Sequence, residues 1–282
     1  MGELVTLPRQ ADGWGLRFLY HTAPGRLLLR GLTGRGVSRL CGRFLDSPAS
    51  KCLISGFRRR ANIDLSQYEL AEYRCFNDFF TRKIRPELRP VDPAPEALVA
   101  PCDGLLSVYE IRRGLVLPVK QSRFSVGDLL GDRDLAARFE GGTCLVFRLC
   151  VEHYHRYCYF DSGVQEEAVF LPGKLHTVRP IALEAGPVLA VNCRERTLLH
   201  TDHFGLAAQI EVGAMLVGRI VNHRGPGPFR RGQEKGMFQY GGSTVVLLLG
   251  PGAAELPREF WEATARREEI PVKMGQRIGR AN

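Results

Sequence analysis

The 282-residue chain lacks any long apolar stretch: runs such as Val245–Leu249 stop at about five residues, where a membrane-spanning helix needs about 20. No helix is therefore expected to cross a bilayer. Near the start there is no short apolar core followed by a small-residue cleavage site, so no secretory signal is expected. The eight cysteines (Cys41, Cys52, Cys75, Cys102, Cys144, Cys150, Cys158, Cys193) include no Cys-x-x-Cys pair and no framework spacing. A chain this long does not need disulfide staples, so reduced thiols in a cytosolic compartment are expected. No solenoid period is visible. Acidic residues are scarce at one end. Residues 1–60 hold eleven basic side chains against Glu3, Asp12 and Asp46.

What is present is ordinary in bulk, with 44% hydrophobic and 24% charged residues, and the length allows a full core. The net charge of +9 is not ordinary in its placement, because +8 of it lies in residues 1–60. A basic end on a neutral body points to an anionic partner, either membrane lipid or nucleic acid. Residues 14–32 favour lipid. Trp14, Phe18, Leu19, Leu27, Leu28 and Leu29 mix there with Arg17, Arg26 and Arg30. The pattern predicts two short amphipathic helices broken at Pro24-Gly25, suited to a lipid headgroup layer or to packing on the protein's own core.

Residues 61–85 read as helical in pieces, with Asn77 as N-cap of a helix over 78–83. Pro86, Pro90, Pro93 and Pro95 then form an extended linker. That places a boundary between a helical, basic, membrane-associating region (1–95) and a β-rich catalytic domain (96–282). Beyond the linker, strands are predicted at 105–111, 115–120, 143–151, 164–170, 188–193, 205–212, 215–222 and 243–249. Short helices are expected at 128–131 and 134–139, and a surface helix within 256–268. The fold class is α+β: a mainly β, sandwich- or barrel-like core with an N-terminal helical region.

The dipeptide Gly242-Ser243 carries the most chemistry. A serine after two glycines stands at the mouth of the run Val245–Leu249. Glycine at 242 frees the backbone, so the Ser243 hydroxyl can reach the Gly242 carbonyl carbon. A tight turn feeding a core strand is the structural alternative. Cys150, His153, His155 and Cys158 invite a metal reading, but strand alternation divides them between faces.

The segments Phe76–Arg82, Arg85–Pro90, Ala100-Pro-Cys-Asp-Gly104, Tyr154-His-Arg156, Pro172–Val178, Asn192–Arg196, Val212–Gly218 and Lys235–Val245 occur in an order that resembles the phosphatidylserine decarboxylase family, from about Trp14 to about Gly250. The resemblance implies a self-processing proenzyme. Ser243 attacks Gly242, the peptide becomes an ester, and elimination leaves a long chain (1–242) and a short chain (243–282). The short chain then begins with a covalent pyruvoyl group made from Ser243. A Schiff base on that ketone would decarboxylate phosphatidylserine to phosphatidylethanolamine, with no metal. The family pairs an Asp and a His with the Ser. Asp103 matches the Asp. His155 is the assigned base, because Cys158 stands where many members carry a second His. His176, Cys158 and His153 are secondary candidates.

The partners implied are phosphatidylserine, an anionic membrane surface and the associated second fragment, with no nucleic acid and with homo-oligomerisation left open. The location implied is peripheral, on the cytoplasmic face of the cell membrane. Two alternatives stand beside this reading: a pyruvoyl-dependent decarboxylase of a free amino acid, and a non-catalytic β domain that binds anionic lipid.

Overall fold

The computed structural model describes residues 13–112, 116–119, 122–178, 181–182, 187–214, 219–240 and 243–282. Gly242, residues 1–12 and residues 215–218 of the Val212–Gly218 segment lie outside the described residues, as do parts of the expected strands 115–120 and 215–222.

Helices come first: α1 (Trp14–His21), α2 (Ala23–Leu32), α3 (Arg35–Leu45), α4 (Cys52–Arg60) and α5 (Phe76–Phe80). The break between α1 and α2 falls at Thr22, not at Pro24-Gly25. Thr22 Oγ1 caps α2 by accepting from the Gly25 amide at 3.0 Å. Pro24 sits in the first turn, where its missing N–H has no partner to lose. A Cβ on Gly25 would lie 2.0 Å from the Phe18 carbonyl oxygen, so glycine there lets the two helices touch. Helix α5 also begins earlier than expected. Cys75, not Asn77, caps it, and Asn77 is buried inside it. Sequence patterning does not announce α3: two glycines lower its helix propensity, and tertiary packing overrides that.

Strands dominate from Ala97 onward, giving the expected α+β fold. Nine form one antiparallel sheet. Its path runs Gly227–Phe229, Gly163–Gln165, Arg194–Thr201, Gly205–Val212, Ser243–Leu249, Thr143–Leu149, Gly104–Glu110, Ile270–Val272, and Val169–Leu171 also pairs with Arg194–Thr201. The Ser243–Leu249 strand is interior and buried at every residue. Val245, Leu247 and Leu249 pack on one face with Phe147 and Phe260. Val246 and Leu248 pack on the other with Phe139 and Leu129. Burial on both faces explains a continuous apolar run with no alternation. Each such side chain contributes about 1.5–3 kcal/mol.

Three expected strands differ from the structure. Val188–Val191 is a helical turn, and the strand follows it at Arg194–Thr201. Charge hides that strand in the sequence. In the fold the Arg194 guanidinium is buried and donates to the carbonyls of Leu129, Ala190, Asn192 and Asp128. The 164–170 strand is two pieces, Gly163–Gln165 and Val169–Leu171. The 143–151 strand ends at Leu149 and chain pairing resumes only at Arg156–Cys158, so His153 and His155 lie in a turn rather than on one strand face.

A buried ion pair ties the sheet to the hairpin that precedes Ser243. Lys235 Nζ donates to both carboxylate oxygens of Glu211 at 2.9 and 3.0 Å, and to Asn222 Oδ1 at 3.0 Å. Both charged side chains are at most 2% exposed. Glu211→Ala strands a buried ammonium and is expected to destabilise the chain by about 3–5 kcal/mol. The double substitution Glu211→Leu/Lys235→Met, which removes both charges, is expected to recover most of that loss. Denaturant unfolding of the two variants measures the difference.

Candidate active site

Ser243 is the first residue of its strand, opposite Leu149, and is 2% exposed. Its Oγ is buried and has no hydrogen-bond partner among the described residues, and the same holds for Thr244 Oγ1. An unsatisfied buried hydroxyl costs about 1–3 kcal/mol. Such groups are rare, and each calls for an explanation.

Three segments converge on the approach to Ser243. The Glu234–Phe238 strand pairs with Arg156–Cys158, and the Phe238 amide donates to the His155 carbonyl at 2.9 Å. The Cys158 amide donates to the Pro101 carbonyl at 2.8 Å, which brings in the Asp103 loop. From α5, the Phe80 ring lies 4.2 Å from the His155 ring and 5.2 Å from that of Tyr240, three residues before Ser243. Asn77 closes the set. Its Nδ2 donates to Asp46 at 2.8 Å and its Oδ1 accepts from the Tyr240 amide at 3.2 Å. A conventional N-cap reading of the sequence misses this role, because the partner residues are 31 and 163 positions away.

His155 is fully buried. Its Nδ1 donates to the His153 carbonyl at 2.8 Å. A carbonyl can only accept, so Nδ1 carries the proton and Nε2 is the basic nitrogen. The tautomer is thus set by backbone. Asp103, expected to orient the histidine, is engaged elsewhere. Its carboxylate receives a bidentate Arg89 guanidinium (2.7 and 2.5 Å) and the Met274 amide (2.9 Å). Cys158 is fully buried, and burial pushes its thiol up to about 12, which removes it as a base near neutrality. The His176 ring faces α1 instead, with Nδ1 at 3.3 Å from the Tyr20 hydroxyl.

His153 Nδ1 accepts the Cys150 amide hydrogen at 3.0 Å. Of the four residues in the metal reading, only Cys150 and His153 group with a further ligand atom, that of Glu152, within 4.8 Å. Arg148 Nη1 already donates to Cys150 Sγ at 3.2 Å, and that cation opposes a second one. Burial holds the His153 imidazole below its usual 6.5, reinforced by Arg148 and Arg89 and opposed by Glu152 and Asp103. Unfolded histidine binds a proton near 6.5 where the folded one does not. Stability is therefore full above 6.5 and is lost as pH falls through the lower folded value. The melting temperature is expected to drop on acidification below 6.5, and less steeply in His153→Gln; thermal scans across that window check it.

A cavity of about 390 Å³ opens beside this approach, lined by Arg39 and Arg43 of α3, Arg219, Asn77, Gln239 and Tyr240. It is thus contiguous with the residues leading to Ser243, and its lining sets Arg39, Arg43 and Arg219 beside Asp46, which lies 3.5 Å from Arg219.

A family model for phosphatidylserine decarboxylase matches residues 76–280. Phosphatidylserine decarboxylase proenzyme 2 of Clostridium acetobutylicum is 41% identical over 275 residues, covering 97% of this chain and 94% of that protein. The phosphatidylserine decarboxylase proenzyme of Ruminiclostridium cellulolyticum is 38% identical over 275 residues (95% and 92% covered). That of Desulfitobacterium hafniense is 37% identical over 270 residues (94% and 91%). An α+β chain matched along its length by phosphatidylserine decarboxylase proenzymes is a carboxy-lyase. The chain belongs to the phosphatidylserine decarboxylase family.

Proposed function

We propose that Ser243 is the residue at which this decarboxylase cuts itself, and that the pyruvoyl group it acts with is made there. The overall reaction is conversion of phosphatidylserine to phosphatidylethanolamine and CO2. The observation that carries the assignment is the buried Ser243 hydroxyl without a partner, at the head of an interior strand. The hydroxyl attacks the Gly242 carbonyl carbon, the peptide nitrogen becomes the amine of an ester-linked Ser243, and β-elimination frees the 1–242 carboxylate. Water then adds at the α-carbon of the dehydroalanine left at 243 and ammonia leaves, which completes the group. Its formation also removes the orphaned hydroxyl.

His155 is the base in this reading, because Nε2 is its acceptor nitrogen. Serine is a weak nucleophile without one. Asp103, clamped by Arg89 and Met274, fixes the loop bonded to the His155–Cys158 segment. When present, the pyruvoyl group supplies an electron sink for the carboxylate's bonding pair. The cavity of Arg39, Arg43 and Arg219 suits the anionic substrate headgroup, and Asn77 holds its wall.

Substrate and surface agree. Trp14 (83%), Leu27 (70%), Leu40 (70%) and Phe44 (47%) are exposed on helices that also carry Arg17, Arg26, Arg39 and Arg43. Apolar residues among arginines suit peripheral attachment to an anionic leaflet, on the cytoplasmic face. No helix among the described residues is long and apolar enough to cross a membrane. The 1–95 region is the membrane side in this reading, and 96–282 the catalytic domain. The two fragments stay together because the Ser243–Leu249 strand is hydrogen-bonded along both edges.

Purified protein is expected to consist of a 1–242 fragment and a 243–282 fragment, the latter blocked to N-terminal sequencing. Intact-mass measurement tests it. A folded preparation that remains one 282-residue chain after prolonged incubation overturns the assignment.

A further inference from the structure

A second cavity, of about 430 Å³, lies between α2 and the segment that carries His176. Arg26, Arg30, Lys174 and His176 line it, with Leu27 and Leu29 among the apolar walls, and no acidic residue lines it. Among the described residues no ion pair engages Arg26, Arg30 or Lys174. Three cationic side chains thus share one cavity without a counter-charge, beside a His176 imidazole that burial and Lys174 hold below its usual 6.5.

The walls are built, not incidental. The His176 amide donates to Asn192 Oδ1 at 2.9 Å, and Asn192 Nδ2 donates back to the His176 carbonyl at 2.8 Å. Asn192 itself is fully buried. The Leu175 amide donates to the Thr33 carbonyl at the end of α2, at 3.2 Å. The Tyr20 hydroxyl meets His176 Nδ1 at 3.3 Å. Leu27, on the cavity wall, and its neighbour Leu28 are 70% and 54% exposed.

We propose that this cavity binds the phosphate of an anionic phospholipid other than the molecule being decarboxylated, with its acyl chains against Leu27 and Leu28. Guanidinium groups recognise phosphate oxygens in bidentate fashion, and Arg26 and Arg30 stand one helical turn apart on the same α2 face. A free phosphate would satisfy the charge but leave the exposed leucines uncovered. A phospholipid satisfies both. The site differs from the Arg39/Arg43/Arg219 cavity in every lining residue. It rests on the reading of α1–α4 as the bilayer face and not on the chemistry at Ser243.

The test is co-sedimentation of the full chain with phosphatidylcholine vesicles carrying phosphatidylglycerol. Arg26→Gln/Arg30→Gln/Lys174→Gln is expected to bind roughly 100-fold more weakly, from the loss of the charge-assisted hydrogen bonds to the phosphate. Arg26→Lys/Arg30→Lys keeps the charge and is expected to keep most of the binding. Arg58→Gln/Arg59→Gln/Arg60→Gln removes the same charge from exposed positions on α4 and is expected to cost much less. Equal losses in the two neutralised triples would show surface charge alone and overturn the site. So would saturable binding of inorganic phosphate that disappears in the Arg26/Arg30/Lys174 variant while vesicle binding persists. Failure of the unaltered chain to sediment with any vesicle removes the membrane reading and this inference with it. Cleavage at Ser243, read by mass on the same samples, reports separately on the proposed processing. Melting temperatures confirm that each variant is folded.

Discussion

Ser243→Ala is expected to remain a single uncut chain with no decarboxylase activity. Alanine has no hydroxyl to attack Gly242, so neither the cut nor the group made from Ser243 can arise. The loss in rate should be at least about 10⁶-fold, the low end of enzymatic acceleration. The same change deletes a buried hydroxyl that has no hydrogen-bond partner. The variant is therefore expected to melt no lower than an uncut wild-type chain. That pairing of lost activity with retained stability separates a chemical role from a structural one. A variant that is still cut between 242 and 243, or one that fails to fold, would contradict it.

The second large effect is expected at His155. Removing a positioned general base typically costs 10²–10⁴-fold, so His155→Ala should lengthen the precursor half-life by roughly that factor. Because His155 is fully buried against Phe80, alanine also opens a cavity there. His155→Gln keeps most of the volume, and it should stall the precursor as well. Cys158→Ser should mature close to normally, since burial already keeps that thiol protonated. Precursor half-lives on one gel series measure all three. Normal maturation of both His155 variants with a stalled Cys158→Ser would move the relay away from the imidazole. Asp103→Asn is a different experiment from the one the sequence implies. It leaves the Arg89 guanidinium without its buried anion, at 9% exposure on both sides, and so acts first on the loop that Asp103 holds.

Much of the fold follows from local pattern. The Val245–Leu249 run marks a strand buried on both faces, and Gly205–Val212 and Gly104–Glu110 are legible from length and bounding glycines. The Arg194–Thr201 strand is not legible. Its Arg194 is buried because two carbonyls about 65 residues away, of Leu129 and Asp128, and two from the turn just before it, of Ala190 and Asn192, converge on it. Helix α3 is hidden for a related reason. Its two glycines lower its propensity, and its partners are Asn77, 31 residues on from its C-cap Asp46, and the cavity beside Tyr240.

The sequence by itself determined the chemistry on offer at this site: a serine behind two glycines, a histidine in Tyr154-His-Arg156, an aspartate before Gly104, and a basic end with few acids. Those are properties of residue type and spacing, which a linear chain records. Tertiary structure alone decided the pairings. Asp103 meets Arg89 rather than a histidine, the His153 carbonyl sets the His155 tautomer, and His176 turns to α1. Each of those depends on which hydrogen-bond acceptor the folded backbone places within 3.3 Å, and no spacing in the sequence encodes that distance.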